Sequence, residues 1–292
     1  METTVTNDNR RQLRTLVRGA YDVQQLRMEM GNRIVANFKA KLGQKPGAKE
    51  ETMDDEAREI LATLRASYRK LTDGLKSFPR KSGFEGDEVI SSYTELCLVS
   101  QFLELEKQEK QHFRRMGQVV TDFPIYNQFL KGVVGIGSAM AGVIISEIDI
   151  SRAKYVSSIW KYAGLDVAPD GKGRTNHAEH LIDVEYTNKK GELATKKSIT
   201  YNPFLKTKLV GVLATSFLRC ASPYRTVYDN YKHRLESHPA WIEKTPGHRN
   251  RASLRYMVKM FLADLYREWR TLEGLPVNTS YDEGKLGHEH AA

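Results

Sequence analysis

Residues 131–142, KGVVGIGSAMAG, carry a GxG turn that runs into an apolar helical pattern. Glycines there permit positive φ and close approach, and the N–H groups at the head of the following helix can bind an anion. A dinucleotide-binding turn needs a buried strand before its glycines. The preceding IYNQFLKGVV instead spaces Ile125, Phe129 and Val133 as a helix does. No Gly-Lys-Ser or Gly-Lys-Thr follows, so a phosphate loop of the nucleotide-hydrolase kind is excluded as well. Helix, then Val134-Gly135-Ile136-Gly137, then helix is the pattern of a helix-hairpin-helix, whose backbone contacts to nucleic-acid phosphates are indifferent to base sequence. Lys131, Gly135, Ile136, Gly137 and Ser138 are the candidate phosphate contacts, and the alternative is a tight interhelical turn without a ligand.

Two further basic sets could serve the same chemistry. Lys172 and Arg174 lie in GLDVAPDGKGR, and Lys189, Lys190, Lys196, Lys197, Lys206 and Lys208 lie on and after an expected β-hairpin with Tyr186 and Tyr201 interleaved. Lysines would meet phosphates and tyrosines would stack on bases; a solvated hairpin is the plainer reading. His177-Ala178-Glu179-His180 beside Asp183 lacks the HExxH spacing and a third ligand, so no metal is assigned. His248 with Asp264 or Glu268 would form an acid-base pair only if the fold joined them.

These residues need elements to position them. Apolar side chains recur at three and four from Leu13 to Leu42, predicting a long amphipathic helix over residues 10 to 42 whose other faces carry Arg10, Arg11, Arg14, Arg18, Arg27, Arg33, Lys39 and Lys41. After the break GQKPGAKEE, Thr52 and Asp55 suggest a capping box for a second helix, and a third runs from about Glu88 to Val120. Beyond Pro124 the expected elements are short: helices over Ile125 to Lys131, Ser138 to Ile148 and Tyr155 to Ala163, then strands Leu181 to Tyr186 and Ala194 to Thr200 around Asn188-Lys189-Lys190-Gly191. Helices over Pro203 to about Glu236, bent near Pro223, and Arg251 to Leu272 complete the chain.

The expected fold is therefore mainly α: a helical arm or coiled coil over 1–122, a helix-hairpin-helix domain with a small β-hairpin over 123–275, and a flexible tail over 276–292. The formal charge is +9, from 45 Lys and Arg against 36 Asp and Glu. The surplus is uneven, with 16 basic against 11 acidic side chains in residues 1–80 but 5 against 8 in residues 81–124. Such a balance favours polyanions. Cys97 and Cys220 read as buried apolar residues in a reducing, cytoplasmic setting, and the apolar run Val133 to Ile150 is too short and too polar to span a bilayer.

The run GIGSAMAGVIISEIDISRAKYVSSIWKYAGLD resembles the C-terminal domain of bridge-RNA-guided insertion-sequence transposases, the one-hundred-ten/one-hundred-sixteen family. The matches are Gly135-Ile136-Gly137, Ala141, Glu147 to Ser151 and Ala163-Gly164-Leu165. YNPFLKTKLVGVL and RASLRYMVKMFLADLYREW resemble two later helices of that domain, so the likeness covers about residues 120 to 272, interrupted by the hairpin. The N-terminal helices are similar in kind to the coiled coil that precedes it. The family's nuclease-like domain, with four acidic metal ligands, has no counterpart in the sequence. Its nucleophilic serine, in a Ser-Gly pair shortly after Ala-Gly-Leu, is replaced by Asp170-Gly171, and aspartate cannot follow the same covalent route. Ser198 is the nearest alternative hydroxyl.

The resemblance and the charge together imply a DNA-binding protein of mobile-element type, with structured RNA as a second ligand, no cofactor and self-association through the N-terminal helices. Two alternatives stand beside it. An active strand-transfer enzyme would use Asp170 or Ser198, with magnesium held by Asp170 and either Asp166 or Glu179; a helical scaffold would bind no nucleic acid.

Overall fold

Three long helices form where the three-and-four spacing runs longest: α1 (Glu2–Lys41), α2 (Asp55–Thr72) and α3 (Tyr93–Val119). The computed structural model describes residues 2–44 and 54–278, so the expected capping residue Thr52 and all but the first three residues of the 276–292 tail lie outside the described residues. The chain separates into two units, Thr15–Arg115 and Met1–Arg14 with Met116–Ala292.

In the unit Thr15–Arg115, Ile34 and Val35 of α1, Ala57, Leu61 and Leu64 of α2, and Leu96, Val99 and Phe102 of α3 form one core with Ile90. Asp54 starts α2 by accepting the Ala57 N–H at 2.8 Å. The third helix begins five residues later than expected. Ser92 and Glu95 form a reciprocal capping box: the Ser92 hydroxyl accepts the Glu95 N–H, and the Glu95 carboxylate accepts the Ser92 N–H, each at 3.2 Å. Upstream, Asp87 accepts the N–H groups of Val89 and Ile90 and holds that stretch out of the helix.

The basic face of α1 is answered inside this unit. Arg27 pairs with Glu109, Lys39 with Glu56 at 2.8 Å and Lys41 with Glu95 at 3.2 Å. Carboxylates on α2 and α3 thus draw in charges that the sequence placed on one helix.

The second unit holds α4 (Pro124–Gln128), α5 (Ser138–Glu147), α6 (Val156–Tyr162), strands β1 (Ile182–Thr187) and β2 (Leu193–Ser198), α7 (Pro203–Lys206), α8 (Ala214–Arg219), α9 (Pro223–Ser237), α10 (Pro239–Ile242) and α11 (Pro246–Leu272). A tight turn, Leu130–Gly132, follows α4, which is shorter than expected, and a π-helical stretch Thr207–Leu213 joins α7 to α8. The expected bent helix from Pro203 is broken outright: Ala221 takes φ +48° and Pro223, which lacks an N–H, opens α9. Cys220, at that break, is exposed and Cys97 is partly exposed, so neither is the buried apolar residue anticipated; both thiols are free.

α5 is apolar on every side and is buried from Met140 to Glu147. α11 packs against α9, α6, α4 and α8. It also fixes the loop after α5: Arg270 donates to the carbonyls of Ile150 and Ala153 at 3.1 and 2.9 Å, and the Tyr266 hydroxyl donates to that of Lys154 at 2.7 Å. The chain is thus mainly α-helical with a small antiparallel hairpin.

Candidate nucleic-acid interface

The two glycines of the GIG turn have different environments. Gly135 has φ +97°, and a Cβ there would stand 2.9 Å from Phe217 Cδ1; the Ser216 hydroxyl donates to the Gly135 carbonyl at 2.7 Å. Behind the turn, Phe217, Tyr224 and Phe261 pack ring against ring. Burial and the bond to Asp264 push the Tyr224 phenol far up, so it stays protonated and donates to that carboxylate at 2.8 Å. Gly137 precedes α5 in an extended conformation (φ −91°, ψ 170°), and a Cβ there would meet nothing within 4 Å. The first intrahelical bond of α5 runs from Ala141 N–H to the Gly137 carbonyl at 3.0 Å. The amides of Ser138 and Ala139 therefore lie ahead of the ladder. Gly137 and Lys131 are exposed, whereas Ile136 is buried as an anchor.

Two stretches between Gly135 and Asn202 have structural duties. Gly164, at φ +64°, closes α6: Gly164 N–H bonds the Lys161 carbonyl at 3.1 Å and Leu165 N–H that of Trp160 at 2.8 Å, the paired bonds of a Schellman end. Glu147, with a fully buried carboxylate, meets Arg14 at 3.1 Å and accepts from Asn202 Nδ2 at 2.6 Å, while Asn202 Oδ1 caps α7 through the Leu205 N–H at 3.1 Å. Asp149 meets Arg10 at 2.7 Å.

Asp170 sits in a turn stapled by an Ala168 N–H to Lys172 carbonyl bond of 2.7 Å. Its carboxylate accepts the Lys172 N–H at 3.0 Å and meets His180 Nε2 at 3.2 Å. The Lys172 N–H chiefly, with His180, holds its pKa below the ordinary carboxylate value. Because Nδ1 of buried His180 accepts the Thr175 N–H at 2.9 Å, the ring proton belongs on Nε2, facing Asp170. Asp166 is engaged by Arg174 at 2.7 Å. The two aspartates thus serve separate partners. Ser198, at the end of β2, makes only a long 3.5 Å contact to the Ile199 carbonyl among the described residues. His248 packs on Trp241, and sixteen residues of helix place it about 24 Å from Asp264, which is held by Tyr224 and Arg267; no acid-base pair forms. Among the described residues, no cluster of three or more His, Cys, Asp or Glu side chains is arranged to hold a metal.

Asn188 shapes the hairpin turn by accepting the N–H groups of Lys190 and Glu192, and Gly191 takes φ +83°. Lys189 and Lys190 are exposed at its tip. The two-residue period of β2 sends Lys196 and Lys197 to opposite faces. Lys196 Nζ lies 4.9 Å from the Tyr186 ring centroid, and Lys197 pairs with Asp183, its cross-strand neighbour, at 2.8 Å. The lysines of the ribbon are thus divided between its two faces.

A second basic group was not visible in the local pattern. Lys206 Nζ donates to the Arg174 carbonyl at 2.5 Å and lies 4.4 Å from the Tyr201 ring centroid. Burial, then the nearby Arg255 guanidinium, bring its pKa down to about 8. Arg255 of α11 packs against Gly173 so closely that a Cβ there would stand only 1.5 Å from Nη1. Spacing alone placed Arg251 and Arg255 on one helix face but held no sign of Gly173 or Lys206.

No family model matches the chain, and no curated protein is significantly similar to it in sequence. Among the described residues, no helix is long and apolar enough to cross a membrane.

Proposed function

We propose that this protein binds DNA, with structured RNA as its second ligand, through backbone phosphates at the GIG turn, as a relative of mobile-element transposases that does not cleave. Gly137 carries the reading. The fold requires glycine at 135, where φ is positive and Phe217 is in contact, but nothing in the fold fills the space above Gly137. A side-chain-free position at the head of the ten-residue α5, six residues after exposed Lys131, lets a phosphate reach the Ser138 and Ala139 amides. Lys189, Lys190 and Lys196 on the hairpin would extend the contact. The lone contact of the Ser198 hydroxyl to the Ile199 carbonyl among the described residues and the engagement of Asp170 by His180 and Lys172 favour binding over strand transfer. The free thiols Cys97 and Cys220 fit a reducing, cytoplasmic setting.

The test is a fluorescence-anisotropy titration of wild type and Gly137→Asp against duplex DNA and a structured RNA at low and near-physiological salt. Aspartate is a good helix cap and places a carboxylate where the phosphate would sit. Wild-type binding that weakens steeply with salt, and a folded variant at least tenfold weaker, are expected. No binding to either nucleic acid, or identical titrations for the two proteins, would overturn the proposal.

A further inference from the structure

Three cations, Arg174, Lys206 and Arg255, meet around the Asp166 carboxylate in the loop after α6, and Arg251 stands beside Arg255. Asp166 Oδ2 takes both bonds from Arg174, Nε at 3.1 Å and Nη2 at 2.7 Å. Asp166 Oδ1 is buried and accepts no hydrogen bond from any described residue. Lys206 spends one of its three N–H groups on the Arg174 carbonyl. Arg255 makes no hydrogen bond or ion pair with any described residue, and its half-buried guanidinium lies against Gly173. Arg251, one helical turn earlier and exposed, bonds only the Gly247 carbonyl of its own helix among the described residues.

Arg251 and Arg255 each lower the proton affinity of a neighbour. Burial and then Arg251 depress Arg255, while burial and then Arg255 depress Lys206. Several partly desolvated positive charges with one committed carboxylate are costly unless an anion joins them. Donors of this kind, a guanidinium fork beside an ammonium, suit the oxygens of a phosphate. Tyr201 backs the ammonium, and the bare backbone of Gly173 leaves the guanidinium room.

We propose that Lys206 and Arg255, converging on the Asp166 to Arg174 loop, with Arg251 next to Arg255, form a binding site for one phosphate group. The site is separate from the GIG turn. It extends the nucleic-acid reading when the phosphate belongs to a strand, and rests on that reading only for that source.

Three probes distinguish the sources: inorganic phosphate by calorimetry, and a short DNA duplex with and without 5′-phosphates by anisotropy. Each is run with wild type, Arg255→Gln and Lys206→Met, with circular dichroism checking the fold. We expect saturable wild-type binding of at least one probe and a loss of tenfold or more in both variants. Equal losses on both duplexes assign a backbone phosphate; a loss confined to the phosphorylated duplex assigns a strand end. A loss confined to inorganic phosphate assigns a free anion. If wild type binds phosphate but neither duplex, the site stands and the nucleic-acid proposal fails. If Gly137→Asp abolishes duplex binding while the cation variants match wild type with all three probes, the nucleic-acid proposal stands and this site fails. Should Arg255→Gln not fold, Lys206→Met decides by the same criteria.

Discussion

Gly135 lies so close to Phe217 that a Cβ on the glycine would approach the ring to 2.9 Å, whereas Gly137, two residues on, faces open space. One glycine completes the aromatic core and the other does not, though the sequence writes them identically.

Gly135→Ala should therefore cost about 2–4 kcal/mol, from strain at positive φ together with overpacking. Gly137→Ala, in extended backbone with free space, should stay within about 0.5 kcal/mol of wild type. Urea denaturation of both variants is the check, and equal losses would contradict the division between the two.

Asn202 donates to buried Glu147 at 2.6 Å and to the Tyr162 hydroxyl at 3.0 Å. Asn202→Asp would remove both donors and set a carboxylate against a carboxylate. The expected loss is about 3 kcal/mol or more at neutral pH. One carboxyl of that pair would bind its proton more tightly folded than unfolded, so the variant should recover stability relative to wild type as pH falls toward 5. A loss independent of pH would exclude charge repulsion as its cause.

Lys206 titrates at about 8 in the folded protein against an ordinary 10.5. Between those values the unfolded chain holds the extra proton, so this residue makes stability rise with pH from about 8 to 10.5 and burdens the fold below that window. Lys206→Met should stabilise the protein at pH 7 by roughly 1 kcal/mol, a figure discounted for a half-solvated group. Its advantage over wild type should vanish across the window in thermal melts. Phosphate affinity should fall as pH rises through about 8, because Lys206 loses its charge beside Asp166, Arg174, Tyr201, Arg251 and Arg255.

On the hairpin, Lys196→Glu should weaken duplex binding several-fold more than Lys197→Glu. Lys197 is already neutralised by Asp183, and Lys196 stands over Tyr186 on the other face. Lys197→Glu should instead cost the ribbon up to about 1 kcal/mol through like charges directly opposite one another. Anisotropy and thermal melting of the single variants separate the two effects, and equal binding losses would restore one continuous basic face.

Local order was largely present in the sequence. The apolar period gave the long helices, Asn188 to Gly191 gave the hairpin turn, and Ser92 with Glu95 spelled the start of α3, although the apolar pattern running back to Ile90 hid it. Periodicity, caps and turns act over a few residues, so neighbouring side chains decide them. What Gly135, Gly164 and the cations do was decided only by tertiary structure. Phe217 reaches Gly135 from 82 positions away, and Arg255 reaches Gly173 from the same separation. Steric contact and charge repulsion depend on distance in space, and that distance exists only once the helices have packed.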